Sequence, residues 1–319
     1  MIEVSIIIPA YGRTEWLRKA ILSVFQQDFD PARYELIVVD SSPDDANRRL
    51  FEELRAQARC ASAFYSKTPE GPGPSRNLGA RHARGRLLAF MDSDCCAHPS
   101  WLRESVPLFA DETVGIVQGK TLPDPAGHPG VLTWYPHNER EYFVYECTNL
   151  LYRREAFDES GGFAADMHPT QARVMGGEDV ALAWTVKRRG WQSRFAERSI
   201  VYHEVVQVSL WRWIFEKRLY IWPLLARQFP ELRQFFFARY FWDRSQALIL
   251  AAWIGATLAP LSSWALASAI PYVAFRLRGP SKSFPGPLRP LRLLPWLARD
   301  TIFLLTLITA SIRHRSLLL

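Results

Sequence analysis

Through its first third the chain alternates short apolar runs with amphipathic stretches. Val4-Ser5-Ile6-Ile7-Ile8-Pro9 is β-branched, lacks polar alternation and is closed by proline. That pattern predicts a strand covered on both faces. Thr14 to Gln27 then puts Leu17, Ile21, Val24 and Phe25 on one helical face. Leu36-Ile37-Val38-Val39-Asp40 predicts a second buried strand, stopped by Ser41-Ser42-Pro43-Asp44. A helix is expected from Asp44 to Ala58 and a third strand over Ser62 to Tyr65. Gly71-Pro72-Gly73-Pro74 reads as a loop, Ser75 to Ala83 as a helix, and Arg86 to Met91 as a fourth strand ending at Asp92. The βαβαβαβ succession predicts an α/β fold, with an open parallel sheet and helices on both faces. Ligands of such sheets sit beyond the carboxyl ends of the strands.

The pattern changes after about residue 205, where aromatics, Leu and Arg crowd together. From Gln246 to Phe275 there is no charged residue, while Arg239 and Arg244 precede this stretch and Arg276, Arg278 and Lys282 follow it. Thirty helical residues would run about 45 Å, against about 30 Å of hydrocarbon. Pro260 falls mid-stretch, and each half alone is too short to span. Positive charge on both flanks favours both ends on the cytoplasmic side. A re-entrant or interfacial helical hairpin is therefore preferred over one tilted span or a buried soluble subdomain. The linker from Arg278 to Pro290 reads as irregular. The last apolar run, Thr301 to Ile312, is short, and with Arg289, Arg292, Trp296 and Arg299 before it suits a helix lying in the headgroup layer. The domain reading is residues 1–225 as a catalytic unit and 226–319 as a helical, membrane-associated region.

Composition narrows the class. The 319 residues carry net charge +7 with 48% hydrophobic residues, which excludes a disordered chain. The arginines interleave with long apolar runs, which favours a membrane surface over nucleic acid as the partner of the basic charge. The four cysteines (Cys60, Cys95, Cys96, Cys147) form no C-x-x-C pair and no disulfide framework. They fit a reducing compartment. Met1-Ile2-Glu3 leads directly into the first strand, so no signal peptide is expected.

The candidate chemistry lies at the expected strand ends. The first strand runs into Tyr11-Gly12-Arg13, the second ends at Asp40 and the fourth at Asp92-Ser93-Asp94. Neither a G-x-G-x-x-G turn nor a P-loop is present. Two carboxylates at i and i+2 on a tight turn can share one divalent cation, Mn²⁺ or Mg²⁺, and through it a diphosphate. Asp179 stands at the start of an expected helix, where an N-cap role competes with a chemical one.

Taken together, Ile8-Pro9-Ala10-Tyr11, Val38-Val39-Asp40-Ser41-Ser42, Ser75-Arg76-Asn77-Leu78-Gly79, Phe90-Met91-Asp92-Ser93-Asp94 and Gly176-Gly177-Glu178-Asp179 resemble glycosyltransferase family 2. The resemblance covers about residues 1–225. It implies the GT-A fold, a nucleoside-diphosphate sugar donor with UDP the leading carrier, and metal-dependent inverting transfer. By that resemblance Pro9, Ala10 and Tyr11 line the nucleobase pocket, and Asp40 bonds the uracil or ribose. Arg76 lies near the base or diphosphate. Asp92 and Ser93 face the nucleotide sugar. Asp94 binds the metal, with Asp92 and His203 completing its surroundings. Asp179 is the implied base, and Glu178 orients it or binds acceptor.

Asn149, at an expected strand start, is assigned to the acceptor side. Trp134, Tyr135 and Trp184 read as core or lid, with sugar stacking as the alternative. Cys95 and Cys96 stand where relatives often carry a further acid. Leu210-Trp211-Arg212-Trp213 only partly echoes the Gln-x-x-Arg-Trp block of processive polymerases. A basic, apolar tail beside such a domain implies a lipid or lipid-linked glycan acceptor at the cytoplasmic face of the inner membrane. Transfer to bare polyprenyl phosphate and a non-catalytic membrane scaffold are the alternatives.

Overall fold

The structure, a computed structural model, describes all residues except 68–70, 131, 165–175, 216 and 279–292. The expected linker after Arg278, with Lys282, Arg289 and Arg292, lies outside the described residues. The chain divides into two compact units, one including Met1–His128 and Glu178–Val205, the other including Val206–Leu319.

The first unit opens β1 (Val4–Ala10), α1 (Thr14–Phe25), β2 (Tyr34–Asp40), α2 (Ala46–Arg55), β3 (Ala61–Ser66), α3 (Pro72–His82) and β4 (Leu87–Phe90). These follow the expected βαβαβαβ order. Helix α3 starts earlier than the Gly-Pro-Gly-Pro signal suggests. Pro72 sits in its first turn, where a proline costs no hydrogen bond and its fixed φ suits the helix. The unit continues with β5 (Cys95–Ala97), α4 (Trp101–Ser105), β6 (Val114–Pro123), β8 (Leu150–Arg153), α5 (Arg154–Glu159), α6 (Glu178–Arg188) and β9 (Gln192–His203). The short strand β7 (Thr133–Trp134) pairs with β10 (Val206–Gln207) in the second unit.

The eight-stranded sheet has the order β3-β2-β1-β4-β8-β6-β9-β5. It is parallel through β3-β2-β1-β4 and again between β6 and β9; β8 runs antiparallel to both β4 and β6, and β5 antiparallel to β9. The wholly parallel sheet expected from the first third is thus a mixed sheet, because the later strands carry no βαβ crossover pattern to dictate their direction. The architecture is that of a GT-A fold. Strand order reverses between β1 and β4, and this switch point is where the carboxyl ends open a crevice.

The runs read as doubly covered strands are so: Ile6, Ile7, Ile8, Leu36, Val38, Val39, Leu87, Leu88, Ala89 and Phe90 are all fully buried. Helix α3 lies so close on β1 that a Cβ at Gly79 would come 2.5 Å from Ile7 Cγ2. At the amino end of the sheet, buried Glu35 accepts from the Ser5 hydroxyl at 2.7 Å, the Arg84 amide at 2.7 Å and the Arg84 Nε at 2.8 Å. These bonds fix the end of the sheet opposite the crevice.

The second unit holds α7 (Leu210–Ile214), α8 (Trp222–Gln228), α9 (Arg244–Leu258), α10 (Ile270–Arg278) and α11 (Leu293–His314). The uncharged stretch breaks after α9, near Pro260, as its sequence suggests, and a 3-10 segment, Ser263–Ala269, leads into α10. The final helix is longer than the apolar run Thr301 to Ile312. Its 22 residues make it the only helix among the described residues long and apolar enough to cross a membrane. It continues through Asp300 because Arg276 and the Tyr272 hydroxyl neutralise that buried carboxylate, with contacts of 2.6–2.8 Å.

Candidate active site

The crevice is built by strand ends and the turns that follow them in the first unit, together with the head of α6. The turn after β4 closes with the Cys95 amide bonded to the Asp92 carbonyl at 3.2 Å, which lifts Asp92, Ser93 and Asp94 out of the strand. The antiparallel pairing of β5 with β9 sets Cys95 opposite His203. Asp94, one residue earlier, therefore lies beside the imidazole: Nε2 is 3.3 Å from Asp94 Oδ1. Buried His203 turns its Nδ1 to the Glu204 carbonyl at 2.7 Å. A carbonyl only accepts, so Nδ1 carries the hydrogen. In the neutral ring Nε2 then presents a lone pair to a carboxylate oxygen. Two acceptors facing each other require a cation or a shared proton between them.

That donor set fits a divalent metal of the Mn²⁺ type, which takes both imidazole and carboxylate. Mg²⁺, with its preference for oxygen alone, fits it less well. Cys95 completes a cluster in which the ligand atoms lie within 4.8 Å of one another. Burial, with the charges of Asp94 and Asp92, holds its thiol well above the ordinary range. It is a neutral thiol, and metals bind the thiolate. Burial also raises the Asp94 carboxyl, and the neighbouring His203 and Arg13 oppose that rise.

Two residues escaped the sequence reading. Arg13 Nη1 bridges Asp94 Oδ2 at 2.7 Å and Glu204 Oε2 at 2.6 Å. Arg13 has φ 52°, in the left-handed region, directly after Gly12. Arg13 follows the Tyr11 block and Glu204 follows His203 in sequence, but their meeting across 191 positions leaves no local signal.

On the other side of the crevice, Asp40 is buried and its Oδ1 accepts from Ser42 Oγ at 2.6 Å and Asn47 Nδ2 at 2.9 Å. Its Oδ2 has no partner among the described residues. Asn47 also donates to the Gly12 carbonyl at 3.2 Å, which ties the β1–α1 turn to the same network. Tyr11 is 62% exposed at the mouth, while Ala10 is buried and Pro9 partly so.

Arg76 is the centre of the site. Held on α3 at 5% exposure, it reaches Asp92 Oδ1 at 2.6 Å and Glu178 Oε1 at 3.3 Å. Its guanidinium lies over the Phe163 ring, 5.5 Å from the centroid. One cation thereby joins the acidic turn of β4 to the head of α6. The sequence reading put Arg76 against the nucleotide; its polar contacts here are with the two carboxylates.

Glu178 and Asp179 open α6. The helix begins at Glu178, so Asp179 lies in its first turn rather than at the N-cap, and its Oδ1 accepts from the next amide, Val180, at 2.9 Å. Desolvation pushes its carboxyl up to about 8, with the like charge of Glu178 adding and Arg76 opposing. A carboxylic acid raised to that range is suited to proton transfer near neutrality.

Asn149 is a correction. It is 1% exposed, accepts from Trp101 Nε1 at 2.8 Å, and donates to the Lys120 and Ser199 carbonyls at 2.9 Å each. Gly119 leaves room for it, since a Cβ there would meet Asn149 Nδ2 at 2.2 Å. Its polar groups are spent inside the sheet, and none is left for an acceptor. Trp184 is likewise nearly buried, with its indole on the Phe143 carbonyl at 3.0 Å.

Comparison with known proteins agrees with this geometry. The family model for glycosyl transferase family 2 matches residues 5–165, just over half of the chain. Glycosyltransferase AglE of Haloferax volcanii is 29% identical over 197 residues, covering 57% of this chain and 65% of AglE. The poly(ribitol-phosphate) beta-N-acetylglucosaminyltransferase TarS of Staphylococcus aureus is 28% identical over 112 residues, 35% of this chain and 19% of TarS. The chain thus spans less than two thirds of these relatives. Among solved structures, residues 1–349 of S. aureus TarS in complex with UDP-GlcNAc align with 99% of this chain and 93% of that one, at TM-score 0.54 and 16% identity. The mannosyltransferase PcManGT of Pyrobaculum calidifontis, in complex with GDP-Man and Mn²⁺, aligns with 98% and 87%, at TM-score 0.52 and 18% identity. At those identities the structures speak for the fold, and the extent of the family match carries the rest: this chain belongs to glycosyl transferase family 2.

Proposed function

We propose that this chain is an inverting, metal-dependent glycosyltransferase. It moves a sugar from a nucleoside-diphosphate sugar, with UDP the first carrier to test, to a hydroxyl of a membrane-linked glycan or lipid. The observation that carries the reading is the convergence of Asp92, Asp94, His203, Glu178 and Asp179 on one crevice at the switch point of the sheet, with Arg76 joining its two halves.

The roles follow from the chemistry of each position. The open Oδ2 of Asp40 and the exposed ring of Tyr11 suit a nucleobase or ribose. Asp94 and His203 would hold the metal, with Asp92 and Ser93 facing the sugar nucleotide. When bound, the metal offsets charge on the departing diphosphate. Asp179 takes the proton of the acceptor hydroxyl as that oxygen bonds the anomeric carbon and the carbon–phosphate-oxygen bond breaks. Glu178, held by Arg76, fixes the head of α6 beside it. The relatives solved with UDP-GlcNAc and GDP-Man support a sugar-nucleotide donor. The uncharged hairpin and basic flanks of the second unit support a lipid-linked acceptor at the cytoplasmic face of a membrane.

The test is transfer itself. Purified full-length protein, Mn²⁺, a panel of UDP-, GDP- and dTDP-sugars and an extracted lipid-linked acceptor fraction are expected to give a product whose anomeric configuration, read by NMR, is opposite to that of the donor. Retained configuration would refute inversion. Nucleotide release only with bare polyprenyl phosphate would move the acceptor to that lipid.

A further inference from the structure

The hairpin of α9, Ser263–Ala269 and α10 has no part in the crevice chemistry. Its turn exposes Leu258, Leu261, Trp264, Leu266 and Ile270, with Leu261 at 85% and Trp264 at 86%. An apolar patch of this kind marks an interface.

Three observations select its occupant. Hydrocarbon favours a segment whose polar groups are satisfied internally; in the hairpin this holds for several side chains, with the exposed tip hydroxyls of Ser262 and Ser263 as exceptions among the described residues. Thr257 Oγ1 donates to the Ile254 carbonyl at 2.8 Å, Ser268 Oγ to the Ala251 carbonyl at 3.0 Å, and Trp253 Nε1 to Thr301 Oγ1 at 3.0 Å. Charge returns only at the feet. Arg244 opens α9, Arg276 and Arg278 close α10, and Arg244 and Arg278 line the same cleft. The Arg276 guanidinium lies 4.2 Å from the centroid of Trp296, and that of Arg299 lies 4.4 Å from Trp213. Arginine stacked on tryptophan is typical of a headgroup layer, and Arg276 there is already paired with Asp300, so Arg244 and Arg278 are left to meet phosphates. Length decides the rest. The 15 residues of α9 reach about 22 Å, less than the about 30 Å of hydrocarbon. The chain then reverses, with the Leu261 and Ser262 amides both on the Leu258 carbonyl.

We propose that the turn from Leu258 to Ile270 is a wedge that enters one leaflet of an anionic bilayer and returns, leaving Arg244 and Arg278 together at the headgroups. The chain is anchored by this wedge without α9 or α10 spanning. This deepens the membrane half of the function proposed above and is independent of the donor chemistry.

The experiment uses full-length protein carrying Cys96→Ser, since the other native cysteines are buried. A nitrobenzoxadiazole label is placed singly by Leu261→Cys, Arg244→Cys or Arg278→Cys. Vesicles are phosphatidylcholine with or without phosphatidylglycerol. On the anionic vesicles the label at 261 is expected to shift to the blue, to be quenched by mid-chain doxyl lipid, and to resist dithionite added outside. The labels at 244 and 278 are both expected to stay reducible. A tip label as reducible as in solution overturns the wedge. One foot shielded from outside reagent means a span and also overturns it. A tip shielded without vesicles, with doubled mass by light scattering, means a second copy of the chain instead. Leu261→Asp with Trp264→Asp is expected to lower vesicle partition by about tenfold or more while UDP binding stays at the wild-type value. Unchanged partition would contradict the proposal. Wild type that partitions but binds no nucleotide would leave the wedge standing and remove the transferase reading.

Discussion

Asp179→Asn is expected to lower kcat/KM by about 10²–10⁴-fold while leaving nucleotide binding near the wild-type value. The amide keeps the shape of the side chain and an oxygen for the Val180 amide, but cannot take a proton from the acceptor hydroxyl. The pH profile gives a second readout. With the carboxyl pushed up to about 8, only the minority ionised form works at pH 7, so wild-type kcat/KM should rise with pH and level off above about 8. Stability should move the other way. Between the ordinary carboxylate pKa near 4 and about 8, the folded chain holds a proton that the unfolded chain has released. Stability therefore falls as pH rises through that window, and Asp179→Asn removes this contribution to the slope. Urea denaturation across pH checks the second effect, and steady-state rates check the first. A variant with full activity would leave Asp179 only a structural role in the first turn of α6.

Arg76→Met is expected to be the most damaging single change to the crevice. The Arg76–Glu178 pair is buried on both sides, at 6% and 7% side-chain exposure. Removing the cation strands the Glu178 carboxylate and releases Asp92, for a stability loss of about 3–5 kcal/mol. Arg76→Lys guards against simple unfolding. An ammonium keeps the charge but cannot span two carboxylates as a guanidinium does. The lysine variant is expected to fold, with a raised urea midpoint relative to Arg76→Met, and yet to lose kcat/KM because Asp92 and the head of α6 are no longer held by one group. Equal activity in Arg76→Lys and wild type would show that the bridge does not position the site.

Much of the first unit was legible. Doubly covered strands announce themselves as unbroken β-branched runs, and Asp40, Asp92 and Asp94 fall where those runs stop. The closeness of His203 to Asp94 was available only through resemblance, since the β5–β9 register that creates it is a tertiary fact. Other features left no local trace. The Arg13–Asp94–Glu204 contact depends on a left-handed turn meeting a distant strand end. Asn149 looked functional because a polar residue at a strand start usually faces solvent. The Trp101 indole and two inward carbonyls that consume its groups cannot be seen in sequence. Asp300 looked like the limit of an apolar run, because its neutralisation by Tyr272 and Arg276 comes from another helix.

The central claim is a metal-dependent donor site at Asp94. Calorimetry of UDP, GDP and dTDP, with and without Mn²⁺, on wild type and Asp94→Ala, tests it most directly. The expected result is nucleotide binding that requires Mn²⁺ and weakens by about 100-fold or more in the variant. Binding of equal strength without metal, or in Asp94→Ala, would contradict the assignment of the Asp94–His203 pair. No binding of any of the three nucleotides would contradict the donor site itself.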